Sequence, residues 1–327
     1  MLRTAVIGVG HLGAQHARIH ALLANAGASQ FAFLCDIDRS RIRENAGKWQ
    51  TETTSDWQSL IGKVDAVSLA VPTESHAEIA CGLLESAIHV LVEKPISRTV
   101  EEADRMIASA KQSGAILQVG HAERFNPALV ALRPHVHNPV YFEIHRVGQF
   151  TARSLDIDVV LDLMIHDLDI VQWLVGEDVP VISVHAVGIP ILTSRVDAAN
   201  ARLEFATGAV ANITASRVGT EKIRKMRFFQ PRVYVAVDYV TNHAAISNLA
   251  PSTAGPWPGV NTRVLEVNDV EPLRAEIESF FDAIARRSRP IVSGADGRRA
   301  LALALRTLEQ IEEHTVRSGV DAYFQKA

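Results

Sequence analysis

A lysine held at the end of an apolar strand, and an aspartate and histidine spaced for one helix face, are the side chains in this 327-residue chain best suited to acid–base chemistry. Glu93-Lys94-Pro95 follows His89-Val90-Leu91-Val92, and the proline restricts the backbone directly after the lysine. In an open α/β sheet ligands bind beyond the carboxyl ends of the strands, so Lys94 points toward such a crevice. Further on, Asp162 and His166 stand four residues apart in Asp162-Leu163-Met164-Ile165-His166-Asp167. On a helix that spacing lets a carboxylate orient an imidazole and raise its basicity, which makes a usable general base. The same pair also suits a structural contact or half of a metal site. No third ligand follows at metal spacing, so no metal is expected.

A different chemistry is written near the start. Gly8-Val9-Gly10-His11-Leu12-Gly13 follows the apolar run Thr4-Ala5-Val6-Ile7 directly and opens a helical stretch over 14–24. Each glycine answers a need: Gly8 a tight turn, Gly10 the approach of backbone to a pyrophosphate, Gly13 close helix–strand packing. The helix start then offers N–H groups and a positive dipole end to phosphates. After the next apolar run, 31–35, Asp36 is placed to accept both hydroxyls of an adenine ribose and to repel an added phosphate. NAD is therefore expected, with NADP less favoured, and Arg39 is the residue that would soften the preference. A dinucleotide gives the base its purpose: His166 takes a hydroxyl proton while hydride leaves for the nicotinamide.

The elements that must position these groups read as two kinds. Up to about residue 120 short apolar strands (4–7, 31–35, 66–71, 89–92, 116–119) alternate with helical stretches (13–24, 76–86, 100–113), the pattern of a doubly wound parallel sheet. After Asn126-Pro127 the strands 141–147, 181–187, 199–205, 210–215 and 233–240 read as a largely antiparallel sheet, interrupted by one helix over 161–174. Helices over 272–286 and 297–315 close the chain, and 250–259, rich in proline and glycine, reads as a loop. The length exceeds one core, so an α/β protein of two domains is expected, 1–122 and 123–327, with a cleft. A net charge of -4 gives no broad positive field for nucleic acid or anionic lipid. No apolar run reaches the ~18 residues of a membrane span. Cys35 and Cys81 each lie in an apolar stretch, which indicates neither disulfides nor a thiolate metal site, and a cytoplasmic protein is expected.

Taken together, Gly8 to Gly13, Asp36, Glu93-Lys94-Pro95, Gly120-His121-Ala122-Glu123-Arg124-Phe125-Asn126-Pro127, and Asp162 with His166 resemble the Gfo/Idh/MocA oxidoreductases over essentially the whole chain. The resemblance implies a Rossmann domain and an α/β domain with a large open-faced sheet that makes homodimer or homotetramer contacts. It implies hydride exchange with a sugar or polyol hydroxyl, with Lys94, Asp162 and His166 catalytic. It puts His11, Leu12, Ile37, Val71, Pro72, His76, Glu93 and His121 beside the dinucleotide, and Arg124 beside the substrate. The stretches 119–127 and 156–167 further resemble the subgroup that oxidises the 3-position of UDP-N-acetylglucosamine, ahead of an amino transfer toward amide-linked lipid A. Many relatives carry glycines before the Asp–His helix, whereas this chain has Val159-Val160-Leu161, which implies a differently shaped substrate wall. Arg146, Arg153 and the run Lys222, Arg224, Lys225, Arg227 are candidates to hold a diphosphate, and equally read as a solvated strand edge. A free sugar or inositol as substrate, or a catalytically silent dinucleotide-binding regulator, are the competing functions; an intact Lys94, Asp162 and His166 argues against silence.

Overall fold

A computed structural model describes residues 1–49, 51–150, 157–251 and 258–320. The chain divides into two compact units, Met1–Ala122 with Glu271–Leu301, and Glu123–Val270 with Ala302–Ala327. The first is built on β1 (Arg3–Ile7), β2 (Gln30–Cys35), β3 (Glu52–Thr54), β4 (Ala66–Leu69), β5 (His89–Glu93) and β6 (Leu117–Gly120), ordered β3-β2-β1-β4-β5-β6 and parallel throughout. Its helices are α1 (His11–Asn25), α2 (Arg39–Trp49), α3 (His76–Glu85) and α4 (Val100–Ser113). β4 and β6 are buried at every position because helices cover both faces, hence their near-continuous apolar sequences. The strand order reverses between β1 and β4, where an open parallel sheet forms its crevice. Local signals set the boundaries. The Thr99 hydroxyl accepts the Glu102 N–H at 3.2 Å to start α4, and Gly114, at φ +74°, ends it.

The second unit carries β7 (Tyr141–Gln149), β8 (Val181–Ile189), β9 (Ala198–Phe205), β10 (Val210–Gly219), β11 (Ile223–Gln230), β12 (Val233–Asp238), β13 (His243–Ala250) and β14 (Gly259–Val264). Their order is β14-β13-β12-β11-β7-β10-β9-β8, antiparallel except where β7 and β10 run parallel. Two short helical elements precede the main helix, α5 (Pro127–Leu132) and a π turn over Val160–Met164 that runs into α6 (Ile165–Val175). Period-two alternation divides each strand between faces. Phe142, Ile144 and Arg146 on β7, and Met226 and Phe228 on β11, point inward, whereas His145, Lys225 and Arg227 lie exposed on the other face. That outward row explains why β11 reads in sequence as a basic stretch and not as a strand. α2, β3, α5, β13 and β14 are likewise absent from the sequence reading; of its 250–259 loop, 252–257 lie outside the described residues.

α7 (Pro272–Arg286) follows the second sheet in sequence yet belongs to the first unit, and α8 (Gly294–Ser318) begins there. The cause is an apolar stripe: Ile277 and Phe280, both fully buried, pack with Ile19 and Leu23 of α1, Ala66 and Leu91. Among the described residues no helix is long and apolar enough to cross a membrane. Truncating Phe280 to alanine should leave a cavity under α1 and α7 and lower unfolding stability by about 3–5 kcal/mol, read from urea denaturation monitored by circular dichroism.

Candidate active site

In the first unit the glycine loop is forced by close contact. Gly8 sits at φ +85° and its N–H donates to the Cys35 carbonyl at 2.8 Å. A Cβ on Gly13 would stand 1.7 Å from the Gly8 carbonyl oxygen, so no side chain is tolerated where α1 meets the loop. Asp36 closes the same turn: its carboxylate accepts the Val9 N–H at 2.7 Å and the Asp38 N–H at 2.8 Å. Gly8, Gly10, Asp36, Ile37, Val71 and Pro72 all line one cavity of about 490 Å³. Its size and its position at the strand-order reversal suit the adenosine end of a dinucleotide. His11 and Leu12 lie exposed in the first turn of α1. Arg39 is exposed and does not line this cavity; Arg41 does, about 3.8 Å from where a Gly10 Cβ would stand. The sequence reading missed Arg41 because it did not recognise α2, and without the helix it could not tell which arginine turns inward.

The Glu93-Lys94-Pro95 turn is braced from behind. Glu93 accepts a hydrogen bond from His16 Nε2 at 2.8 Å, and its other oxygen accepts the Lys94 N–H at 3.2 Å. Burial opposes the Glu93 charge, but His16 and then Lys94 outweigh it and hold the carboxyl below its ordinary range. The carboxylate of Glu93, expected beside the dinucleotide, is turned inward against Gly120. His76, expected there too, has its ring enclosed as well. It is 1% exposed, with Nδ1 at 3.0 Å from the Pro95 carbonyl and Nε2 at 3.0 Å from the Val71 carbonyl. Burial depresses its pKa, and a neutral ring donates to one carbonyl at a time. His76 thus ties the turn after β4 to the lysine turn. Lys94 itself is half-buried, and His121, directly after β6, is buried.

In the second unit the helix bearing His166 does not start as a regular α-helix. Leu161 and Asp162 both donate their N–H groups to the Asp158 carbonyl, and the chain then makes the wider turn over Val160–Met164 before α6. Asp162 therefore sits in the π turn and His166 in the first turn of α6, both half-buried. Single π turns recur at functional sites. Val159 and Val160 are fully buried, so they pack the interior and do not form a substrate wall.

Asp162 lines a cavity of about 300 Å³ with Arg146, Arg217, Lys222 and Arg224. Two predicted substrate arginines are committed elsewhere. Arg146 is 2% exposed and grips Asp167 through two hydrogen bonds, at 2.7 and 2.8 Å, with Glu123 at 3.1 Å. Although burial works against its charge, Asp167 and Glu123 raise its pKa above the ordinary range. Arg124, also 2% exposed, makes the same fork with Asp169 at 2.7 and 2.6 Å and stacks on Trp173. Arg153 lies outside the described residues. Lys225 and Arg227 belong to the other face, next to Asp238 and Glu143. Arg224 keeps part of its guanidinium accessible and meets Glu123 at 3.2 Å; burial and then the Arg146 charge lower its pKa against the opposing pull of Glu123, Asp167 and Asp162. Arg217, unforeseen in the sequence, is anchored by the Ile157 carbonyl and by Asp197. Had the alternation Ile213, Ala215 been carried to the true end of β10, it would have placed Arg217 on the inward face.

The chain matches two family models in succession, an oxidoreductase family with an NAD-binding Rossmann fold over residues 2–121 and the Gfo/Idh/MocA C-terminal domain over 129–235. It is 38% identical to the UDP-N-acetylglucosamine 3-dehydrogenase of Acidithiobacillus ferrooxidans, covering 99% of both chains. The solved structure of that protein superimposes with a TM-score of 0.88 over 95% of this chain and 98% of the other. The myo-inositol 2-dehydrogenase of Thermotoga maritima is 28% identical over 95% of this chain and 97% of its own. With both halves matched and a relative alike from end to end, the chain belongs to the Gfo/Idh/MocA family of NAD-binding oxidoreductases.

Proposed function

We propose that this oxidoreductase uses NAD to oxidise the 3-hydroxyl of a UDP-N-acetylhexosamine, in the cytoplasm and as a homodimer or homotetramer. The observation that carries the substrate class is the cationic cavity beside Asp162, where Arg217, Lys222 and Arg224 converge. A free sugar or inositol carries no anion for the exposed Lys222 or the accessible part of Arg224, whereas a diphosphate accepts charge-assisted hydrogen bonds from guanidinium and ammonium alike. The named activity of the Acidithiobacillus relative agrees with this assignment. The 3-keto sugar nucleotide is then a substrate for amino transfer, the step that leads toward an amide-linked lipid A. The open face of the large sheet, which carries Glu143, His145, Lys225 and Arg227 around an exposed Phe229, is the surface we assign to self-association.

The division of labour follows from the chemistry of each group. Bound NAD supplies the hydride acceptor. Gly8, Gly10 and the start of α1 hold its pyrophosphate, Asp36 and Ile37 its adenosine, with Val71 and Pro72 below and His121 toward the nicotinamide. His166 accepts the hydroxyl proton, imidazole being the side chain suited to taking up and releasing protons near neutral pH. Asp162 steadies the imidazolium, and Lys94 donates a hydrogen bond to the oxygen as negative charge develops on it.

Three outcomes are expected. His166→Asn and Lys94→Ala should each lower kcat by at least about a hundredfold while NADH fluorescence titration shows unchanged binding. Arg224→Ala should raise the KM for UDP-N-acetylglucosamine by about tenfold or more, with the KM for NAD unaltered, the effect of one charged hydrogen bond. Because Asp36 meets a ribose hydroxyl better than a phosphate, NADH should bind more tightly than NADPH, and Asp36→Ser should narrow the gap; NADPH binding as tightly to the native protein would transfer the adenosine site to Arg41.

A further inference from the structure

Beside the lysine turn, in the first unit, lies a cluster of buried polar side chains that the reaction above does not use. Glu276, on the inner face of α7, is fully buried, and neither carboxyl oxygen has a hydrogen-bond partner among the protein groups described. A helix of ordinary sequence does not aim a carboxylate into an apolar core: an isolated buried ion costs many kcal/mol, and the group keeps its proton instead. Three further polar groups are tied to it, one directly and the others through Glu93. Gln118 of β6 donates through Nε2 to the Glu276 backbone carbonyl at 3.0 Å, while its own Oε1 is buried without a partner. His16 of α1 presents Nε2 to Glu93, and its Nδ1 is buried without a partner. Glu93 is near enough for its charge to act on Glu276.

We infer that Glu276 is a positioning residue for the catalytic lysine turn, a neutral carboxylic acid that completes the cluster around Glu93 and keeps a single negative charge there for Lys94 to face. With one anion in the cluster, Glu93 is balanced by His16 and by the backbone and ammonium of Lys94. A second anion would draw a compensating proton and hold Lys94 more firmly as a cation, less able to share its proton with a developing alkoxide. Burial, then the field of Glu93, push the Glu276 carboxyl well above its ordinary range, in agreement with the neutral form. The titratable groups on the elements packed against it are His11, His16, Arg18 and His20 of α1, His89 and Glu93 of β5 with Lys94 directly after it, and His121 after β6. Of these His20, bonded to Thr4 and Ser68, is pushed down to about 3 by burial and so stays neutral.

The inference rests on the role proposed for Lys94, so its test has one arm that does not depend on catalysis. A carboxyl whose folded pKa lies above the unfolded value of about 4.3 stabilises fully below that value and loses its contribution as pH rises. The melting temperature of Glu276→Gln should therefore gain on that of the native protein steadily from about pH 5 to pH 8; parallel curves would show an ionised or already compensated Glu276 and overturn the inference. In the second arm, Glu276→Leu, close in volume and free of polar atoms, should fold yet lower kcat by about tenfold or more, with little change in the KM for NAD. Glu276→Gln should restore kcat and its pH profile. In a Lys94→Ala background Glu276→Leu should cost nothing further. Native kcat in Glu276→Leu, or a Gln variant as impaired as the Leu variant, would overturn the positioning role. Should Glu276→Leu fail to fold, the Gln profile decides, and a shift beyond about one pH unit contradicts the inference. Undiminished turnover in Lys94→Ala alone would instead sink the role proposed for Lys94, leaving the stability arm to judge Glu276.

Discussion

One hydrogen bond, from His16 to Glu93 at 2.8 Å, joins the two parts of the first unit that matter most. His16 sits in the second turn of α1, the helix that the glycine loop opens; Glu93 is the last residue of β5, just before Lys94. The bond is fully enclosed, so it is made in a medium where charge-assisted pairs are strong and unpaired ones costly. It fixes the lysine turn against the helix that receives phosphate, and His76 packs one strand over between the Val71 and Pro95 carbonyls, donating to one of them. Gly120 belongs to the same arrangement. A Cβ there would come within 2.9 Å of the Glu93 carboxyl, so the glycine leaves room for the buried acid rather than for a ligand.

The second unit solves a parallel problem with ion pairs. Asp167 and Asp169 follow His166 on α6 and are each gripped by an arginine, Arg146 from β7 and Arg124 from the turn before α5. Buried pairs of this kind add little net stability, but breaking one costs about 3–5 kcal/mol. Their effect is to fix the rotation of α6, so that His166, directly before the first of the two gripped aspartates, is set by its neighbours. The π turn that carries Asp162 runs straight into α6, and the loop ending at Asp197 braces it through Val196, whose N–H reaches the Asp158 carboxylate at 2.9 Å.

How much of this was legible in the sequence depended on whether a residue's type states its own requirement. The glycine loop, Asp36 and the lysine turn were legible because only glycine meets those backbone approaches, and because strand, turn and helix follow in an order that excludes most alternatives. Both sheets and the family emerged the same way. Arg146 and Arg124 did not: an arginine on a strand or a short turn can face either way, and only the partner aspartates, far away in sequence, decide it. The π turn leaves no mark in residue spacing. The return of α7 to the first unit is a matter of which apolar surface still needs covering, which Ile277 and Phe280 answer only once the first sheet is known.

The central claim is a hydride transfer from a particular carbon of a particular class of sugar, and isotope labelling reads it directly. Incubating the enzyme with NAD and UDP-N-acetylglucosamine deuterated at C3, then recovering the reduced cofactor for mass spectrometry and proton NMR, should give NADH carrying deuterium at C4 of the nicotinamide. Unlabelled NADH from that substrate, or reduction of NAD by myo-inositol but not by the sugar nucleotide, would contradict the account.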